Sequence, residues 1–72
     1  MIITNDGWVN IPFAPKYQFN IWTNSVRDIK NKYKTNRVKI PDTDTVGYSF
    51  IVDGEIKYFT IPQLREIILG GD

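Results

Sequence analysis

Hydrophobic and polar positions alternate along much of the chain, and the alternation predicts strands. From Tyr17 to Trp22, "YQFNIW", Tyr17, Phe19 and Ile21 fall on one face and Gln18 and Asn20 on the other, the period of a half-buried strand. Trp22 breaks the period and predicts a bulge. "TNS" reads as a turn, with Asn24 the residue best able to take a positive φ. "VRDI" is a second short strand in which Val26 points opposite to Arg27. "RVKI" places Val38 and Ile40 on one face and Arg37 and Lys39 on the other, and Pro41 ends it. The clearest element is "VGYSFIVDGEIKYF". Val46, Tyr48, Phe50 and Val52 alternate, as do Ile56 and Tyr58, around Asp53-Gly54, a pair that favours a type I′ hairpin turn.

The period changes at "TIPQLREIILGG". Leu64, Ile67 and Ile68 form an i, i+3, i+4 stripe, which predicts a short helix with that stripe in the core. Thr60 is its N-cap and Gln63 completes a capping box. Pro62 is tolerated in the first turn, and Gly70 ends the helix. Ahead of the first strand, "MIITNDGWVNIPFAPKY" is punctuated by Gly7, Pro12 and Pro15. It reads as an irregular lead-in or a short strand, with Trp8, Ile11 and Phe13 folding onto the core. The fold expected is α+β: a small antiparallel sheet of three to five strands with one C-terminal helix packed on one face. Residues 1–72 are expected to form a single small domain, with 1–7 and 70–72 as loose ends.

Composition narrows the chemistry. A chain of 72 residues buries a modest core, and its ten aromatic side chains supply much of it. Core packing is therefore the better explanation of Trp22, although Trp22 and Tyr33 are both of the type that anchors partners. The chain has neither cysteine nor histidine. It thus lacks the thiolate nucleophile, the commonest general base near neutral pH and the commonest metal ligand. Asp42 and Asp44, between Pro41 and Thr45, are better explained as turn residues than as a catalytic pair, and so are Asp53 and Glu55. "VDGE" is too short for a calcium loop, and there is no glycine-rich phosphate loop. No catalytic residue, metal ligand or cofactor is expected, nor any small-molecule substrate. No apolar run approaches the roughly 20 residues of a membrane span, and the expected setting is the cytoplasm, without a membrane partner.

Charge is nearly balanced overall at +1 but unevenly placed. Residues 27–39 hold six bases against one acid, Asp28, for a net +5, and the rest holds three bases against seven acids, for −4. Arg27, Lys30, Lys32, Lys34, Arg37 and Lys39 are suited to phosphate contacts, and Tyr33 and Asn36 among them add a stacking ring and an amide. A solvated hairpin tip accounts for the same charge without a ligand.

The order of landmarks resembles a known module. "WVNIP", "YQFN", "NSVR", the basic loop, "GYSFIVDGEIKYF" and "IPQLREIIL" follow one another as in the small β-rich domain at the front of phage HNH homing endonucleases. That domain is the fourth class of nuclease-associated modular DNA-binding domains. The resemblance runs from Trp8 to Leu69 on short, degenerate motifs. It implies a DNA-binding domain of phage or mobile-element origin whose sheet lies against DNA. Arg27 takes the place of the family's arginine after a valine, here Val26. Lys30, Lys32, Lys34, Arg37 and Lys39 fall in the variable loop and strand facing the duplex. Trp8, Ile11, Tyr17, Val26, Tyr48 and Leu64 match core positions. Asn24 or Ser25 stands where the family has glycine, and the helix start lacks the family's His and Arg. With no nuclease motif in these 72 residues, the expected protein is a free-standing, non-catalytic DNA binder. The alternative is a small phage-type protein that modulates an acidic host protein through the same surface.

Overall fold

The computed structural model describes residues 6–70, so the residues expected as loose ends at 1–5 and 71–72 lie outside the described ones. The fold is α+β, with six strands and a C-terminal helix among the described residues. The strands form two antiparallel three-stranded sheets rather than one. The chain divides into two compact units, Met1–Thr35 and Asn36–Asp72.

In the first unit, β1 (Trp8–Ile11), β2 (Ala14–Asn20) and β3 (Val26–Asp28) pair in sequence order. The lead-in is thus a short strand. Trp8 and Ile11 are buried and Phe13 is half-buried. Alternation sorts the sheet into rows. Val9, Phe19 and Val26 align across the three strands, and all three are buried. This row is the apolar face that burial stabilises. The strand predicted from Tyr17 begins earlier, at Ala14, because Pro15 sits near its start, where a missing N–H is tolerated. It ends at Asn20, whose Oδ1 accepts from the backbone N–H of Trp22 (2.8 Å) and Thr23 (3.0 Å), turning the chain. Asn24 follows with φ 60°, as its residue type predicts.

Two expectations about Trp22 are corrected. The irregular pairing lies between Asn10 and Ile11 of the β1–β2 ladder, not at Trp22. Trp22 itself is in the turn and 63% exposed, so it is not a core residue. Its ring lies over Gly7, where a Cβ would come within 2.8 Å of Trp22 Cδ2. Asp6 and Gly7 are held in place, since Asn20 Nδ2 donates to the Asp6 carbonyl (2.9 Å) and the Ile21 N–H donates to that of Gly7 (3.0 Å).

In the second unit, β4 (Val38–Lys39), β5 (Val46–Val52) and β6 (Glu55–Thr60) pair in order, and α1 (Ile61–Leu69) lies against β5 and β6. Asp53 and Gly54 both take positive φ, 53° and 81°, the signature of the type I′ turn. Thr60 and Gln63 close the capping box through both bonds, 3.2 and 2.9 Å. Leu64 and Ile68 are buried with Tyr48 and Phe50, but Ile67 is 40% exposed and leaves the predicted stripe. A nine-residue helix on a narrow sheet turns only part of that stripe inward. Val46, Ile56 and Tyr58 are also exposed despite their alternation. The loop after Pro41 is closed by Thr43, whose hydroxyl donates to the Ile40 carbonyl (2.8 Å) and accepts from the Thr45 N–H (3.1 Å). Asp42 within it takes φ 63°.

Candidate nucleic-acid interface

The basic stretch straddles the boundary between the units. Arg27, Lys30, Lys32, Tyr33 and Lys34 belong to the first unit, and Asn36, Arg37 and Lys39 to the second. Counted by unit, the first has five bases against two acids (+3) and the second has four against six (−2). The first unit is therefore the cationic one.

In that unit the loop after β3 is built by its own polar side chains. The Asp28 carboxylate accepts from the backbone N–H of Lys30 (2.8 Å) and of Asn31 (3.2 Å). Asn31 Oδ1 accepts from the Tyr33 N–H (2.9 Å). Backbone bonds from Lys32 N to Asp28 O and from Asp28 N to Tyr33 O, both 2.9 Å, close the loop on itself. Lys32 takes φ 64° at its tip. The one acid of the basic stretch thus serves as the brace of the loop. Lys30, Lys32 and Lys34 are exposed around Tyr33, which is itself 74% exposed. A ring so placed adds nothing to the core and is available for stacking.

Arg27 behaves differently from these lysines. It is half-buried on β3, with its guanidinium carbon 4.1 Å from the centroid of the Trp8 ring, in cation–π range. Its Nε and Nη2 both donate to Gln18 Oε1, at 3.0 and 2.8 Å. Gln18 Nε2 in turn donates to Asn10 Oδ1 (3.1 Å). Asn10, Gln18 and Arg27 are cross-strand partners in one row, and Lys34 is the bridge partner of Arg27. The sequence singled out Arg27 and Lys34 but not Asn10 and Gln18. The alternation places Gln18 on a polar face, but nothing in the linear order says that it pairs with Asn10 and Arg27.

In the second unit, Asn36 and Lys39 are exposed, and Arg37 Nε donates to the Tyr48 hydroxyl (3.3 Å). The strand predicted over residues 37–40 shortens to Val38–Lys39, so Arg37 precedes it. The same unit exposes Ile51 (73%) and Ile56 (62%), which are cross-strand partners on the hairpin.

No group of acidic side chains that could hold a metal ion occurs among the described residues. No described helix is long and apolar enough to cross a membrane. Comparison of the chain with family models, with curated proteins and with solved structures returns no match.

Proposed function

We propose that this is a non-catalytic DNA-binding protein of phage or mobile-element type, which contacts the duplex backbone through the basic segment 27–39. The observation that carries the reading is the loop after β3. It exposes Lys30, Lys32 and Lys34 around Tyr33 on a backbone braced by Asp28 and Asn31, in the unit with net charge +3. A braced loop holds its ammonium groups out with less ordering left to do on binding, and each phosphate it neutralises releases a counterion. Asn36, Arg37 and Lys39 extend the basic segment into the second unit. The resemblance to the DNA-binding modules of homing endonucleases agrees with this assignment.

The test is titration of labelled duplex at two salt concentrations. Three phosphate contacts predict about a 40-fold loss of affinity between about 50 and 200 mM salt. Replacing Lys32, Lys34 and Arg37 together by Ala should abolish binding while circular dichroism stays unchanged. A folded triple variant that retains affinity would sink the proposal.

A second reading is favoured by the exposure of Trp22 and Tyr33, both large rings of the kind that anchor protein partners. In that reading the same basic surface docks on an acidic host protein. It predicts no duplex binding at about 150 mM salt, where the Debye length is about 8 Å. It also predicts recovery of one host protein that a Tyr33→Ala variant fails to recover.

A further inference from the structure

The row Asn10–Gln18–Arg27 has a direction imposed by donor and acceptor chemistry. A guanidinium has only N–H donors, so the Gln18 atom that faces it must be the carbonyl oxygen. That places the Gln18 NH₂ toward Asn10, whose facing atom must then be its own carbonyl oxygen. Both lone pairs of Gln18 Oε1 are used within the row, and one of Asn10 Oδ1. What remains for a ligand is nearly all donors: the other guanidinium N–H groups, the second Gln18 N–H and the Asn10 NH₂. Lys34 adds an ammonium at the fourth position. Neighbouring strands lie about 4.8 Å apart, so the four positions span roughly 14 Å, close to the ~12 Å width of a major groove. The Trp8 ring and Gln18 together hold the Arg27 fork in one orientation, unlike the loop lysines.

We infer that this row is a base-reading surface selective for the guanine edge in the major groove. Guanine presents two adjacent acceptors there, N7 and O6, and a row whose remaining groups are nearly all donors complements them. Adenine and cytosine each present an amino donor, for which the row offers only the remaining lone pair of Asn10 Oδ1, and thymine presents a single acceptor, O4, beside a methyl group. The inference rests on the proposed DNA binding and divides the labour within the first unit. Loop lysines hold phosphates and set orientation, and the sheet row discriminates between bases. Phosphate oxygens are also acceptors, so the experiment must remove a base acceptor and leave the backbone intact.

A guanine-rich duplex and the same duplex carrying 7-deazaguanine do this, since the second lacks only N7. The full chain should bind the 7-deaza duplex about two- to tenfold more weakly, the loss of a hydrogen bond or two. Gln18→Leu should bring the two affinities together while leaving the slope of log Kd against log salt unchanged. Asn10→Ala, at an exposed position, should narrow the difference and serves if Gln18→Leu fails to fold. Equal wild-type affinity for both duplexes, with binding still salt-dependent, overturns the inference and leaves the DNA-binding proposal standing. Absence of duplex binding at low salt overturns both.

Discussion

Asn20 is a polar residue in a buried place, and each of its side-chain bonds goes to backbone. Its Oδ1 accepts from two successive N–H groups of the turn, and its Nδ2 donates to the Asp6 carbonyl. Asn20→Ala removes every one of these partners at once and leaves partly buried backbone groups unsatisfied. The expected cost is about 2–4 kcal/mol, read as a lower urea midpoint at unchanged m-value. A change below about 0.5 kcal/mol would mean that water replaces the amide freely. Residue type foretold some of this scale, such as the positive φ of Asn24. It did not foretell Trp22, because burial depends on what lies across from a turn, and a small domain's need for apolar area does not decide which ring fills it. Asp28 was legible only as an acid among bases. Its role as the brace of the loop came from where the backbone N–H groups of Lys30 and Asn31 point.

Among elements, the β5–β6 hairpin and the helix were legible nearly whole, since their signals are local: a turn pair that accepts positive φ, and a cap within three residues of its partner. Two glycines in the hairpin strands and turn do different jobs. Gly54 needs its φ of 81° but has open space around a Cβ. Gly47, the second residue of β5, would drive a Cβ into the Phe59 carbonyl oxygen of the neighbouring strand. Gly54→Ala should therefore cost about 1 kcal/mol in backbone strain. Gly47→Ala should cost more, up to about 3 kcal/mol, because packed backbone has to move. Thermal melts of the two variants give the order, and a smaller loss at Gly47 would contradict the close approach. Exposed Ile56, Tyr58 and Ile67 mark where alternation and helical period stop being informative. Periodicity says which residues share a face, not whether anything covers it.

At the scale of the whole molecule, every strand pairs with its neighbour in sequence, within each of two units. Such local pairing demands little loop closure, so the main refolding phase should finish within about 10 ms at 25 °C. Stopped-flow fluorescence of Trp8 and Trp22 measures it, and a main phase near one second would show that something beyond adjacent-strand pairing limits folding. The basic stretch also changes meaning here. In the linear chain it is one run with net charge +5, but the unit boundary after Thr35 divides it. Its first part shares a unit with the polar row of the sheet, so the exposed loop lysines and the Asn10–Gln18–Arg27 row belong to one folded unit.

The sequence by itself determined what depends on neighbours a few residues apart. The α+β class, the hairpin turn, the helix cap and the αL asparagine follow from backbone preferences and short-range hydrogen bonds, and the uneven charge is read directly from the order of residues. Only the tertiary structure decided what depends on residues far apart in the chain. It split the strands into two sheets, left Trp22 and Ile67 outside the core, and set Asn10, Gln18 and Arg27 side by side, with Arg27 over the Trp8 ring. The reason is register: a shift of one residue reverses every face of a strand, and register is chosen by the packing of all strands together.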